Sequence, residues 1–155
     1  MGGADDLRII AFEPGKLNMS VLKKEFEKDR RIVFKHSGLS DKTGELYFHE
    51  QGSSSYLTSK GNENSVIPVS AIDEVPECKG ATWIKMDIEG AEMDALEGAR
   101  ATIKHNKPIL TICIYHSDED MVRIVEWVHE LVPDYKLYIR QHTRRNHETV
   151  LYAIV

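Results

Sequence analysis

The fold of this chain is decided by one stretch, Trp83-Ile84-Lys85-Met86-Asp87-Ile88-Glu89-Gly90-Ala91-Glu92. Its first four residues are short and mostly apolar, which predicts a strand buried inside a sheet. Gly90 permits a sharp turn of the backbone, and residues 91–106 then have helical spacing. Asp87 and Glu89 therefore follow a strand directly. Because ligands bind at the carboxyl ends of strands in an open α/β sheet, we expect these carboxylates at a functional site.

A structural role also fits some of these acids. Carboxylates are common in the first turn of a helix because they interact favourably with its positive end. This role suits Glu92 best, and it is an equal alternative for Glu89. It explains Asp87 less well, since Asp87 ends the strand and precedes the helix. We therefore predict a site role for Asp87 and leave both roles open for Glu89.

Length and composition limit the classes of protein. The 155 residues predict a single domain over 1–155, and the net charge of −5 argues against a general nucleic-acid binder. No apolar run is long enough to cross a bilayer, and no signal-peptide pattern opens the sequence. Cys78 and Cys113 are the only cysteines, so a disulfide framework is not expected and a reducing, cytoplasmic setting fits best. Cys113 lies in an apolar run and is expected to be buried.

Strand and helix patterns alternate along the chain. Strands are predicted at 7–12, 31–35, 83–86, 109–115, 135–140 and 149–155, and helices at 16–29, at 91–106 and from Ser117 to Pro133. The first helix has Leu17, Val21, Leu22 and Phe26 as its inner face. This order predicts an α/β fold with a mostly parallel sheet, helices on both faces and an antiparallel pair at the end. Residues 44–69 form either a β-ribbon that covers a site or an elaborate surface loop.

Several segments carry a family resemblance. They are Ile84 to Glu92, Leu96-Glu97-Gly98-Ala99, Lys107-Pro108-Ile109-Leu110, Ile114-Tyr115-His116, Tyr138-Ile139-Arg140, Val150-Leu151-Tyr152-Ala153 and Ala11-Phe12-Glu13-Pro14. Together they resemble the FkbM-type methyltransferases, a branch of the class I enzymes that depend on S-adenosylmethionine. The resemblance covers nearly the whole chain. It implies a Rossmann-like class I methyltransferase sheet with S-adenosylmethionine as the cofactor.

The resemblance also implies residues that bind the cofactor. Glu13 would bind the ribose hydroxyls, because a carboxylate accepts both hydroxyl protons, and the alternative is an ordinary turn acid before proline. His36, Ser37 and Gly38 would lie near the adenine, or else form a solvated loop. Asp87 would lie near the methionine end of the cofactor and the methyl acceptor.

Three residues are candidates for the catalytic chemistry. His116 ends the next strand and suits a general base, because the pKa of histidine lies near neutrality; alternatively it helps to begin the next helix. Glu89 would orient the acceptor or act as the base. Asp87, Glu89 and His116 could also hold a divalent metal such as magnesium, but metal-free chemistry is favoured.

One part of the family pattern has no counterpart in this sequence. A strand with a glycine-rich turn would precede the segment that begins at Leu7, and that strand would lie between the strands at 7–12 and 83–86. Gly2-Gly3 is too short to form such a loop. We therefore expect a truncated or divergent family member, with free strand edges that pair with each other or with another chain. Weak or absent cofactor binding by this polypeptide is expected.

The predicted function is O-methylation. An acceptor hydroxyl, on a sugar or glycan as the resemblance implies, would attack the sulfonium methyl group in line, and catalysis would come mostly from alignment. The expected partner is that small-molecule or glycan acceptor. Binding to nucleic acid or to a membrane is not expected. A homo-oligomer would form through an exposed sheet edge. Two alternatives stay open. One is a catalytically inactive remnant of the fold that acts as an interaction module. The other is a different nucleotide-binding α/β enzyme, for example a hydrolase that uses Asp87 and Glu89 with a metal.

Overall fold

The computed structural model describes residues 7–49, 56–58, 66–144 and 148–155. Its strands are β1 (Ile9–Phe12), β2 (Ile32–Lys35), β3 (Gly38–Leu39), β4 (Gly44–His49), β5 (Tyr56–Thr58), β6 (Val66–Ser70), β7 (Trp83–Met86), β8 (Ile109–Cys113), β9 (Lys136–Gln141) and β10 (Thr149–Ile154). Its α-helices are α1 (Lys16–Phe26), α2 (Glu92–Glu97), α3 (Arg100–Asn106) and α4 (Asp120–Leu131). None of the helices described is long and apolar enough to cross a membrane.

The strands form three sheets. β1 and β2 make a parallel pair, and a second sheet has the order β7-β8-β10-β9. In that sheet β7 and β8 are parallel, whereas β10 is antiparallel to both of its neighbours. The α/β class and the antiparallel strands at the end are thus confirmed, but three sheets replace the single, mostly parallel one that was predicted. β1 and β7 do not pair with each other in the part of the chain that the structure describes, so each has an unpaired edge.

The third sheet lies in the segment for which a ribbon and a surface loop were both left open. β4 is antiparallel to β5 and β6, and β3 extends the sheet in parallel to β6, giving the order β3-β6-β4-β5. The strands therefore support a ribbon rather than an irregular surface loop. Most of the polar tract at 52–64 lies outside the described residues, apart from β5.

The main core lies between the second sheet and the helices α2, α3 and α4. Ile84 and Met86 of β7 point into it, with exposed fractions of 7% and 1%, whereas Trp83 on the opposite face is 64% exposed. This alternation is the strand period of two, and the buried pair fixes the end of β7 where Asp87 begins. Core residues from the other elements are Leu96, Ile103, Leu110, Ile112, Ile124, Val128 and Leu151.

The apolar face predicted for α1 is not buried in the described structure. Leu17, Val21 and Phe26 are 70%, 58% and 43% exposed, and the buried residue of α1 is Met19. Periodicity identifies an apolar stripe on a helix, but burial also needs an element that packs against it. The prediction of this inner face is therefore wrong for these three residues.

Both cysteines are buried and free, and burial was predicted for Cys113. Burial raises the pKa of the Cys113 thiol to about 12, with a further contribution from the nearby Asp87 carboxylate. Cys113 is therefore protonated at neutral pH and serves as a small core residue.

The single helix predicted at 91–106 is two helices. α2 ends at Glu97, and the carbonyl of Gly98 accepts the backbone N–H of Asp73 at 2.8 Å. The carboxylate of Asp73 then accepts the backbone N–H groups of Ala101 and Thr102, both at 2.8 Å, and so caps the start of α3. A capping residue 28 positions away leaves no local signal, which is why helical spacing alone missed the break.

Gly98 provides a test of this packing. A Cβ atom at Gly98 would collide with the carbonyl oxygen of Ser40 and lie 3.2 Å from the Cα of Ala71, and neither is a flexible side chain. Gly98→Ala should lower the free energy of unfolding by about 1–3 kcal/mol or more, measured by urea denaturation. Gly44→Ala is the matched control because nothing lies within 4 Å of its Cβ position. Equal stability of the two variants would contradict the close approach at Gly98.

Candidate functional site

A tight turn follows β7. Its central residues, Glu89 and Gly90, have φ angles of +56° and +94°, and the N–H of Ala91 donates to the carbonyl of Ile88 at 3.3 Å. Two successive positive φ values define a type I′ turn. Gly90 adopts this conformation freely, whereas a residue with a side chain does so at a cost of roughly 1–3 kcal/mol. Other contacts must therefore hold Glu89 in place.

Glu92 supplies those contacts. Its side chain is buried, and its two carboxylate oxygens accept the N–H groups of Ile88 and Gly90, both at 2.9 Å. A carboxylate that reaches back across the turn closes it from the helix side. The first-turn position of Glu92 is as predicted, but its role is to bind the turn rather than only to complement the helix end.

His116 lies against the same turn from the end of β8. Its Nε2 is 3.6 Å from Asp87 Oδ1 and 3.6 Å from Glu89 Oε2, and its Nδ1 is 3.0 Å from Glu92 Oε1. The side chain is 9% exposed. The ring is not aligned for hydrogen bonding, so neither nitrogen has a hydrogen-bond partner among the described residues. The structure thus brings together the three predicted catalytic residues and adds Glu92.

The charges around His116 act on its pKa in opposite directions. Burial by itself lowers the pKa of His116, because it disfavours the charged imidazolium. The carboxylates of Glu92, Glu89 and Asp87 together outweigh burial, and the pKa is raised. The site therefore stabilises the protonated, positively charged form of the His116 ring.

Tyr115 is a further member of the site. Its hydroxyl donates to Asp87 Oδ1 at 3.2 Å, and burial together with the Asp87 charge raises the pKa of Tyr115. Asp87 is thus contacted by two side chains that follow β8, those of Tyr115 and His116. The segment Ile114-Tyr115-His116 carried part of the family resemblance, which was the available signal, but no role was predicted for Tyr115.

A cavity of about 400 Å³ opens beside this turn. Glu13, Ser37, Gly38, Asp87 and Glu89 all line it, so four of the five predicted cofactor-binding residues share one cavity with a predicted catalytic residue. The lining also includes Asn18 and Lys85, for which no role was predicted.

His36 is the exception among the predicted cofactor-binding residues. It is exposed, its Nε2 lies 3.0 Å from the carbonyl oxygen of Pro14, and it does not line this cavity. The backbone turns sharply at His36, where the N–H of Ser37 donates to the carbonyl of Lys35 at 2.9 Å, so His36 and Ser37 leave the chain in different directions.

The other predicted residues have local contacts of their own. Glu13 Oε1 accepts the N–H of Gly15 at 2.7 Å, which orients the carboxylate, and Oε2 has no hydrogen-bond partner among the described residues. Ser37 is buried with its Oγ 3.1 Å from Ser70 Oγ. A Cβ atom at Gly38 would lie 3.0 Å from the side chain of Leu57, so close packing explains this glycine. Of the three, Glu13 has the atom most available to a ligand.

A second cavity, of about 410 Å³, lies on the other side of the turn. Glu89, Gly90, Ala91 and Asp94 line it together with residues 39–42. Glu89 lines both cavities, so a ligand in either cavity lies next to this residue.

These features define a class of protein. Carboxylates at the carboxyl ends of parallel strands, beside a cavity of ligand size, are typical of α/β proteins that bind a cofactor or nucleotide.

Comparisons with known proteins identify the family. Residues 4–144 match the model of the methyltransferase FkbM domain. The crystal structure of methyltransferase FkbM from Methylobacillus flagellatus KT is similar, with a TM-score of 0.78 and 29% sequence identity over 95% of this chain and 36% of that one. No curated protein matches the sequence. The chain belongs to the FkbM methyltransferase family, and it spans about a third of the length of the M. flagellatus methyltransferase.

The role of Glu92 can be measured as stability. Glu92→Ala removes two hydrogen bonds to a charged acceptor and leaves two N–H groups without it, so the free energy of unfolding should fall by roughly 2 kcal/mol or more. Asp94→Ala is the control, because Asp94 is an exposed acid in the same first turn. If Glu92 acted only on the helix end, urea denaturation would show equal and small decreases in the free energy of unfolding for the two variants.

Proposed function

We propose that this site is part of an O-methyltransferase that depends on S-adenosylmethionine. Family membership supports the reaction, and one structural observation carries the assignment of residues: Glu13 and Asp87 line the same cavity although they follow different sheets. The volume of about 400 Å³ is in the usual range of small-molecule sites.

The cofactor would bind along the wall that contains Glu13 and Asp87. Glu13 Oε2, which has no hydrogen-bond partner among the described residues, would accept a ribose hydroxyl proton, while Oε1 stays on the N–H of Gly15. Asp87 would lie toward the methionine end of the S-adenosylmethionine cofactor. His36 is outside the cavity, so Ser37 and Gly38 remain the proposed neighbours of the adenine.

The bound cofactor supplies an electrophilic methyl group. The chain's own residues would hold the acceptor hydroxyl in line with it, so that a carbon–oxygen bond forms while the carbon–sulfur bond breaks. The hydroxyl proton would pass to the group formed by Asp87, Glu89 and His116. Asp87 and Glu89 line the cavity, whereas His116 lies behind them. A sugar or glycan hydroxyl is the proposed acceptor on the strength of the family resemblance.

Binding of S-adenosylhomocysteine tests this proposal. Calorimetric titration at high ligand concentration, suited to weak binding, should detect one site in the folded chain. Glu13→Ala should raise the Kd by about 10- to 100-fold, because it removes a charged hydrogen-bond acceptor. Glu25→Ala is the matched control, since Glu25 is an exposed acid of α1 outside the cavity.

Two results would refute the assignment. Absence of binding by a chain that is folded by circular dichroism would mean that this polypeptide does not form the cofactor site. Unchanged affinity in Glu13→Ala would mean that the ribose is bound elsewhere.

An interaction module is the second candidate, and it is favoured by β1 and β7, which each have one edge without a partner strand among the described residues. Exposed edges offer N–H and C=O groups to strands of another chain, which here would be a second copy. The N–H of Ile109 donates to the carbonyl of Thr82, so in a parallel ladder the N–H groups of Trp83 and Lys85 face away from β8.

Self-association should therefore be visible at those amides. Sedimentation velocity should show a dimer as the protein concentration rises, and hydrogen exchange at Trp83 and Lys85 should slow with it. The amides of Ile84 and Met86, which face β8, serve as the internal reference. A monomer at all concentrations would refute this candidate.

A further inference from the structure

The surroundings of His116 are unusual for a buried histidine. Its side chain is 9% exposed, yet neither ring nitrogen has a hydrogen-bond partner among the described residues. Buried polar atoms are paired in the great majority of cases. Three carboxylates, those of Asp87, Glu89 and Glu92, approach the ring within 3.6 Å. Among the described residues, no cation other than a protonated His116 itself forms an ion pair with these three acids.

We propose that Asp87, Glu89 and His116 bind a divalent first-row transition cation, with Glu92 orienting the imidazole. His116 Nε2 would be the nitrogen ligand, and Asp87 and Glu89 would each supply a carboxylate oxygen. Among the described residues, the group whose ligand atoms all lie within 4.8 Å of one another is Asp87, Glu92 and His116, so Glu89 must move closer to Asp87 before these two carboxylates can share an ion.

The distances suit such an ion. Ligands about 2.0–2.2 Å from a metal lie about 3.0 Å apart at right angles and about 3.4 Å apart in a tetrahedron. Nε2 is 3.6 Å from both Asp87 Oδ1 and Glu89 Oε2, so each nitrogen–oxygen pair is close to the required separation, and the two carboxylates must also approach each other. Asp87 and Glu89 are partly exposed and can make that movement.

Glu92 fits an orienting role better than that of a ligand. Its oxygens are held by the N–H groups of Ile88 and Gly90, and Oε1 is 3.0 Å from His116 Nδ1. Histidines that bind metals usually present their second nitrogen to a carboxylate, which fixes the ring and its tautomer. A slight rotation of the imidazole would align Nδ1–H with Glu92 and direct Nε2 at the cation.

The donor set selects the type of cation. The sequence suggested magnesium as the metal alternative, but magnesium prefers oxygen ligands and retains its water. An imidazole nitrogen with two carboxylates suits Mn²⁺, Fe²⁺ or Zn²⁺ better. Binding of the cation is independent of the proposed function. Its catalytic use rests on that function, because only a methyl acceptor in the adjacent cavity would have its hydroxyl polarised by the ion.

Manganese titration tests the site without cofactor or substrate. The electron paramagnetic resonance signal of free Mn²⁺ measures how much ion the untagged chain binds, and nitrogen couplings in pulsed spectra report an imidazole ligand. Wild type should bind one equivalent with a nitrogen coupling. Asp87→Asn and Glu89→Gln should each raise the Kd at least about tenfold, and His116→Gln should abolish the coupling.

Controls separate binding from folding. Asp118→Asn changes an exposed acid two residues after His116 and should leave the Kd unchanged. Asp87 and Glu89 are 38% and 37% exposed, so their isosteric variants test the site even if His116→Gln does not fold. Absence of stoichiometric Mn²⁺, equal Kd values in Asp87→Asn, Glu89→Gln and wild type, or binding without a nitrogen coupling would each overturn the proposal. Absence of stoichiometric Mn²⁺ would indicate that a protonated His116 imidazole neutralises the surrounding carboxylates instead. Since S-adenosylhomocysteine is absent, none of these outcomes depends on the proposed methyltransferase activity.

Discussion

The buried carboxylate of Glu92 is the interaction on which the site depends. It binds two backbone N–H groups of the preceding turn and contacts the imidazole of His116. A buried carboxylate is tolerated where its oxygens are hydrogen-bonded, and the N–H groups of Ile88 and Gly90 meet that requirement. These hydrogen bonds also hold Glu89 in a left-handed conformation that its side chain disfavours. One side chain therefore fixes both the path of the backbone after β7 and the position of the carboxylates that the turn presents.

The register of the sheet brings the second half of the site to this turn. β7 and β8 are parallel, with Met86 beside Ile112, so the residues that follow each strand emerge at the same edge. Asp87 then meets Tyr115 and His116, which lie just beyond β8. The buried side chains of Ile84 and Ile112 hold this register, because a shift by one residue would turn them away from the core. Core packing and site geometry are consequences of the same alignment.

Local sequence patterns predicted the site residues better than they predicted the contacts that hold those residues in place. The strand, the turn glycine and the acids after it are adjacent in sequence, so the position of Asp87, Glu89 and His116 at one sheet edge was predictable. Capping of α3 by Asp73 and the turn contacts of Glu92 depend on which atoms meet after folding, and residue type alone does not specify them. The wrong prediction that the apolar face of α1 is buried has the same cause. The apolar residues do have helical spacing, but spacing does not show whether another element packs against them. The break before α3 and the exposed face of α1 are therefore failures to predict tertiary partners, whereas the contacts of Glu92 lie within four residues and depend on the conformation of the turn.

The locations of unfavourable features indicate where function lies. A left-handed Glu89, three carboxylates around one imidazole and two unpaired buried nitrogens each oppose stability, and all lie within one turn of β7's end. None is required to connect a strand to a helix, because glycine at position 89 and apolar residues around position 116 would serve that connection with less strain. Elsewhere in the described chain, the acids Asp29, Glu77 and Glu97 are paired with Arg31, Lys35 and Arg100 in the usual way. Left-handed residues also occur at Lys107 and Glu148, so backbone strain alone does not mark the site. The unbalanced charge, however, lies where the cavities meet, as expected when a site is organised for a ligand rather than for stability.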